Sequence, residues 1–264
     1  MNELKTLYRY RQLIATLTAR DLKARYRGSI LGYFWSLANP LLLLTVYTIV
    51  FTVFFPANAI QPYPLFLFAG ILPWTFFAAA TLESTAAISA NAGLIKKVMF
   101  PAEALPLVVV LSHLVHFALA VPVLVVATIG FAWHGDVVMR PTMLLVIPLM
   151  VVQTLFVAGI AMTVSSAAVL FRDLRDIITN LLTLGFFLTP ILYTIENIHI
   201  SRWLRALLRL NPMTPFVLSY QDVLFFGRLP GLADTVLMLL YALASVALGM
   251  MVFGRLRDTL AEAI

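Results

Sequence analysis

Long apolar stretches separated by short polar ones run the length of the chain. Six of them reach the ~20 residues that a helix needs to cross a bilayer: 31–55, 64–88, 104–132, 142–170, 177–195 and 232–253. Hydrocarbon offers no water to an unpaired backbone N–H or C=O, so such runs must close their hydrogen bonds internally. Their length and lack of alternation select helices over strands. The expected fold class is therefore an all-α integral membrane protein with six transmembrane helices. The short linkers make residues 1–264 a single domain.

Two segments depart from this pattern. Residues 4–27 put Lys5, Arg9, Gln12, Thr16, Arg20, Lys23 and Arg27 on one helical face, and Leu4, Leu7, Tyr8, Ile14, Leu17 and Leu22 on the other. This predicts an amphipathic helix lying on the membrane surface. Arg11 and Arg25 interrupt its apolar side, in positions that suit a protein partner or lipid phosphates. Between 196 and 231, "SRWLRALLRL" precedes "NPMTP", where Pro212 and Pro215 each remove a backbone donor. Two short helices that dip into the outer leaflet and return are expected. The alternative is a seventh span, which would send the C-terminus outside.

Composition agrees with the bilayer as solvent. The chain is 62% hydrophobic and 11% charged, against about a quarter charged in soluble domains. Its net charge of +6 gathers at the ends of apolar runs, which favours anionic headgroups over nucleic acid. With the N-terminus inside, 13 of the 18 Lys and Arg residues fall on the cytoplasmic side: Lys5, Arg9, Arg11, Arg20, Lys23, Arg25, Arg27, Lys96, Lys97, Arg172, Arg175, Arg255 and Arg257. Arg140, Arg202, Arg205, Arg209 and Arg228 fall outside. The positive-inside rule then favours both termini in the cytoplasm. Cysteine is absent, which removes disulfides and thiol chemistry. The charged first 28 residues do not read as a cleavable signal peptide.

Few motifs carry chemistry. Glu83 lies inside the second run beside Thr81, Ser84 and Thr85. An intramembrane carboxylate is costly and faces protein or water, so a polar cavity wall or a snorkelling acid is expected. His113 and His116 stand three apart with no carboxylate in their run, so no metal site and no catalytic residue is assigned. There is no G-x-x-x-x-G-K-[ST], hence no phosphate-binding loop. In the loop "NAGLIKKVMFPAE", Lys96 and Lys97 fit either a solvated linker or a short helix that docks on a cytoplasmic partner. In "FRDLRDI", Arg172 and Asp176 could pair at helical spacing. Aromatic residues cluster around Tyr33 and Trp35, Tyr47 and Phe51, Trp74, and Phe187 and Tyr193. They suit an interfacial belt, or a surface on which sugar rings stack.

The stretch "RDLKARYRGSILGYFWSLANPLL", with "KKVMFPAEALPL", "FRDLRDI", "LTPILY" and "NPMTPFVLSYQDVLFFG" in order behind it, resembles the ABC-2-type permease subunits of ABC exporters for O-antigen, capsule and teichoic acid precursors. The resemblance covers essentially the whole chain. It implies a cytoplasmic interface helix over 1–29, a membrane domain over 30–254 with two short re-entrant outer helices, and a cytoplasmic tail over 255–264. It also implies a homodimer in the bacterial inner membrane, joined to two separate ATPase subunits that bind ATP and Mg, so that this chain holds no cofactor. A lipid-linked glycan would be the cargo. The interface helix would be carried by Arg20, Asp21, Lys23, Arg25, Tyr26 and Arg27. ATPase coupling would be carried by Asn91, Gly93, Leu94, Ile95, Lys96, Lys97 and Met99. The channel lining would draw on Tyr33, Trp35, Tyr47, Phe51, Glu83, Phe187 and Tyr193. A drug or lipid permease of the same fold is the alternative; a lipid-modifying enzyme would need clustered polar catalytic groups that the sequence lacks.

The charge distribution makes a direct prediction. A reporter fused after Ile264 should be active in the cytoplasm; activity on the outer side would instead support seven spans.

Overall fold

The computed structural model describes residues 9–28, 32–54, 60–93, 102–133, 140–171, 173–195 and 202–263. Among them the regular structure is entirely helical. The α-helices are α1 (Arg11–Tyr26), α2 (Trp35–Ile49), α3 (Tyr63–Ser84), α4 (Ala104–Trp133), α5 (Val146–Leu170), α6 (Leu174–Leu188), α7 (Arg202–Leu210), α8 (Thr214–Gln221) and α9 (Leu232–Ala263). Four stretches are long and apolar enough to cross a membrane: Tyr63–Ser84, Ala104–Trp133, Pro141–Leu170 and Leu232–Leu256. They match the second, third, fourth and last apolar runs closely.

The first and fifth runs form shorter α-helices of 15 residues each. α2 passes into a π-helical turn at Val50–Phe54. α6 stops because Pro190 follows Thr189: a proline pushes the residue before it out of the helical region, and Thr189 is extended, with φ −94° and ψ 137°. Between 202 and 221 the chain forms two short helices, α7 and α8, separated at the Asn211–Pro212 break. Residues 255–263 prolong α9.

α3 is the centre of the bundle. Its apolar window is 72% buried, against 44% or less for the other three long helices. Leu65, Phe66, Leu67, Phe68 and Ala69 are buried on every side, as expected of a helix that is apolar all round. α4, α5, α8 and α2 surround it. α8 is correspondingly buried, with Phe216, Val217 and Tyr220 at 0% exposure. It passes through a π turn into Gly227, whose φ of +63° closes the element. α1 does not stand apart from the bundle. Ile14 and Leu17 pack on Ala104, Leu105, Val108 and Val109 of α4, while Gln12, Thr16, Arg20 and Lys23 stay exposed.

The most intimate contact joins α5 and α9. A Cβ on Gly159 would lie 2.2 Å from the backbone of Ser245, and one on Gly249 would lie 2.6 Å from the Gly159 carbonyl oxygen. Small residues here let two backbones touch, which is how helices associate when lipid removes the usual hydrophobic drive. Side-chain bonds add direction: Gln153 of α5 donates to the Pro73 carbonyl of α3 at 2.8 Å. Gln221 donates to the Pro190 carbonyl at 3.1 Å, and the Tyr63 hydroxyl to that of Leu192 at 2.7 Å.

Gly159→Val should therefore separate α5 from α9. Overpacking of this kind costs about 1–3 kcal/mol or more. The expected outcome is a lower thermal midpoint in detergent, whereas Gly130→Ala, where open space surrounds the site, should leave the midpoint unchanged.

Candidate functional site

At the end of the bundle where α1 lies, polar groups from three helices converge. Glu83, in the last turn of α3, accepts from Nη2 of Arg25. Its second oxygen, Oε2, meets Nε2 of His113 on α4 at 2.8 Å. Arg25 also donates from Nε to Oδ2 of Asp21, one turn back on α1, at 3.0 Å. The His116 ring follows one turn along α4, its centroid 6.2 Å from that of His113. The cluster is only partly shielded: the Arg25 side chain is 26% exposed and Glu83 40%. Burial works against the Arg25 charge, but the hydrogen bond to Asp21 and the charges of Glu83 and Asp21 outweigh it. They hold its pKa above the ordinary arginine value.

Local sequence explains the convergence. The apolar stripe at Ile14 and Leu17 seats α1 on α4, which carries Arg25 to the level of His113 two turns further on. Ser84 and Thr85 turn back to the carbonyls of Ala80 and Leu82, so Glu83 is left as the polar group facing outward from this turn. Beside the cluster a groove of about 820 Å³ opens between α2, α3 and α4. Arg25, Asn39, His113 and His116 line one end, and Leu43, Val46, Leu72 and Phe117 line the rest.

The aromatic residues separate into two groups. Tyr47 and Phe51 are half-buried within their own chain. Phe51 lies edge-on to Tyr63 at 4.4 Å, and the row continues through Phe66 to Phe225. Phe187 of α6 is 62% exposed, and its carbonyl accepts from the half-buried Tyr193 hydroxyl at 3.0 Å. Trp74, Leu182, Phe186 and Phe187 line a smaller groove of about 380 Å³ between α3 and α6. Trp35 opens α2, and Tyr33 lies in the 3₁₀ turn before it. At the opposite end of the bundle, Arg228 donates from Nε to Oδ1 of Asp222 at 2.6 Å and lies 4.8 Å over the Phe226 ring.

In the loop after α3, Asn91 closes a 3₁₀ turn and donates to the Ala87 carbonyl at 2.9 Å; Gly93 is exposed. Leu94, Ile95, Lys96, Lys97 and Met99 lie outside the described residues, as does Arg172. Among the described residues no group of three His, Cys, Asp or Glu could hold a metal ion.

The model of the ABC-2 type transporter family matches residues 12–225. The chain belongs to the ABC-2 type transporter family. It is 38% identical over 270 residues to the O-antigen export system permease protein RfbA of Myxococcus xanthus, covering 98% of each chain. It is 33% identical over 255 residues to the protein of that name from Klebsiella pneumoniae, covering 96% of this chain and 95% of that one. A second Klebsiella pneumoniae protein is 32% identical over the same length. Arg25, Glu83 and His113 all fall within the family match.

For this ABC-2 chain, sequence reasoning singled out Arg25 and Glu83 separately but did not join them. Arg25 breaks the amphipathic face because its partner is a carboxylate of α3. His113 had no carboxylate in its own run; the carboxylate comes from a different helix, 30 residues away. The available signal was the coincidence of three ionisable anomalies: Arg25 on the apolar side of its helix, and Glu83 and His113 inside apolar runs. Arg20, Lys23 and Arg27 stay exposed; Tyr26 ends α1.

Breaking the Arg25–Glu83 pair should cost more than the ~1 kcal/mol ceiling of a solvated pair. It should cost less than the ~3–5 kcal/mol of a fully buried one. Arg25→Glu should lower the thermal midpoint accordingly, and Arg25→Glu combined with Glu83→Arg should recover part of the loss. A double variant no better than the sum of its single changes would deny the pairing.

Proposed function

We propose that this chain is the permease subunit of an ATP-driven exporter that moves a lipid-linked polysaccharide, of the O-antigen type, across the bacterial inner membrane. The observation that carries the reading is the identity of 32–38% to O-antigen export permeases over nearly the full length of both chains. The family match supports a transport subunit and an ABC ATPase partner. ATP and Mg belong to that partner, consistent with the absence of a phosphate-binding loop here.

Six crossings per subunit are part of this reading. The helical path from Gly32 to Phe54 is unbroken and spans roughly 34 Å at 1.5 Å per residue, enough for the ~30 Å hydrocarbon core. α6 reaches about 22 Å and would complete its crossing through the turn after Thr189. α7 and α8 would be the re-entrant outer pair. The described residues of one subunit pack closely around α3, so the channel would form between two copies about a two-fold axis. Exposed Leu181, Leu184 and Phe187 of α6 make that helix the best supported part of such a wall. Tyr33, Trp35, Tyr47, Phe51 and Tyr193 would add stacking faces that tolerate a sliding sugar chain. Glu83 would sit off the channel, as a strut between the interface helix and α3.

In this scheme the ATPase engages residues 91–100, where Asn91, Gly93, Leu94, Ile95, Lys96, Lys97 and Met99 would form the contact. It also engages the exposed face of α1 through Arg20, Lys23 and Arg27. Displacement of α1 reaches α3 and α4 through Arg25, Glu83 and His113. Coupling requires an element with two arrangements that both sites bias, and α1 is the element placed to serve.

The test is biochemical and genetic. The purified chain alone should show no ATP hydrolysis, and it should co-purify with an ABC ATPase when the two are co-expressed. Deleting its gene should strip long-chain polysaccharide from the cell surface while lipid-linked chains accumulate inside. Normal surface polysaccharide in the deletion strain would refute the export reading.

A further inference from the structure

The groove between α2, α3 and α4 has a length, a polarity and a charge pattern that together specify an occupant. Its polar end carries Arg25, Asn39, His113 and His116, and the remainder is apolar apart from Thr75, whose hydroxyl donates to the Leu72 carbonyl. Its lining on α3 runs from Leu72 to Ala79, a rise of roughly 10 Å, and Glu83 stands one turn beyond it. Half of the ~30 Å hydrocarbon core is about 15 Å. With the Glu83 cluster at its mouth, the groove takes up most of the ~15 Å of one leaflet, the reach of a single acyl chain. Its volume of about 820 Å³ lies within the ~300–1,000 Å³ of sites that hold small molecules.

The polar end narrows the headgroup. Arg25 supplies a fixed positive charge, and its bonds to Asp21 and Glu83 use two of its N–H donors, out of the five that a guanidinium carries. Asp21 and Glu83 supply two negative charges immediately beside it, with side chains 33% and 40% exposed. Each ionised carboxylate has about four acceptor positions, more than the bonds described here occupy. A purely anionic head, above all a diphosphate, would meet both carboxylates at close range. A purely cationic head would meet Arg25. A zwitterion with a phosphate and a primary ammonium on a short arm satisfies both signs, and the ammonium donors match the carboxylate acceptors.

We propose that this groove is a binding site for a zwitterionic phospholipid with a primary amine. Its phosphate lies at Arg25 and His116, its ammonium at Glu83 and Asp21, and one acyl chain lies along Leu43, Val46, Leu72 and Phe117. The occupant is a membrane phospholipid and not the cargo, so the site stands on the membrane fold whatever the chain exports. A bound lipid there would brace α1 against α2 at the junction where Arg25 meets α3.

The full chain, delipidated in detergent and offered equal amounts of phosphatidylethanolamine, phosphatidylcholine and phosphatidylglycerol, can be read by native mass spectrometry. Phosphatidylethanolamine should be retained about tenfold over the other two. Glu83→Gln should abolish that preference, as N-methylation of the ligand does in phosphatidylcholine. Should Glu83→Gln fail to fold, Val46→Trp decides. Val46 is 53% exposed, so the ring can fill the groove without disturbing the core, and phosphatidylethanolamine retention should fall by the same factor. Equal retention of the three lipids overturns the proposal, and so does retention unaffected by the folded variants. Preferential capture of undecaprenyl diphosphate, added as a fourth ligand, would overturn it in favour of a polyprenyl lipid. Loss of export in cells with this lipid preference intact would bear on the exporter reading alone.

Discussion

In a bilayer, an apolar helix face gains little by leaving an acyl chain for another helix, so few contacts decide which helices meet. This chain depends on that constraint. Its long helices are apolar on all sides, yet they are arranged in one particular way around α3. The arrangement rests on two kinds of contact. One is backbone against backbone, where Gly159 and Gly249 admit α9 onto α5. The other is a small set of polar bonds that hydrocarbon cannot replace: Gln153 to Pro73, Gln221 to Pro190, and Glu83 between Arg25 and His113. Several of these end on α3, and they lie at different depths along it. The central helix is thereby fixed in rotation as well as in position.

How much of this could be read in advance depends on the length scale of the signal. Hydrophobic run length is a one-dimensional property. The four long helices follow from it to within a residue or so at most ends, because in lipid nothing competes with helix for the backbone. The first and fifth runs were harder, since local chemistry interrupts them. Pro190 stops α6 although the apolar composition continues, and α2 changes its hydrogen-bond pattern at Val50. The break at Asn211–Pro212 was legible because proline acts through its own two neighbours. The contact of Gly159 with Ser245 was not, since a glycine in a membrane helix does not announce which of several faces its partner will take. The charged cluster shows the same limit. Each member was conspicuous as an exception within its own segment, but the pairing spans 58 residues between Arg25 and Glu83 and 30 between Glu83 and His113.

The aromatic residues show how the same composition supports two physical roles. A ring with neighbours on its own chain contributes packing: Phe76 stacks on Phe117, and Phe156 on both Phe77 and Phe216. Such rings fill the space between α3, α4, α5 and α8, where branched aliphatics would leave gaps. A ring with an open face is available to something else. Phe187 is the clearest instance, exposed on α6 beside the groove that Trp74 and Phe186 line. Tyr47 and Phe51 fall between the two, one edge in the row that leads to Tyr63 and the other reachable from outside. Sequence clustering alone weighs all of these equally, because it counts rings and not open faces.

The cluster of Arg25, Glu83 and His113 links α1 to two spans by polar bonds. α1 is held on α4 by an apolar strip of Ile14 and Leu17 with Leu13 beside them, and apolar contact resists separation better than it resists sliding. A pull along α1 would therefore be taken up first by the contact at its far end, Arg25. That contact is charge-assisted and shared between oxygens of Asp21 and Glu83, so the guanidinium can shift between them without a large loss of attraction. Through Glu83 it joins α1 to α3, and the second oxygen of Glu83 joins both to His113 of α4. A helix held by apolar surface alone can slide along its neighbour; the carboxylate ties α1 to two spans at one point.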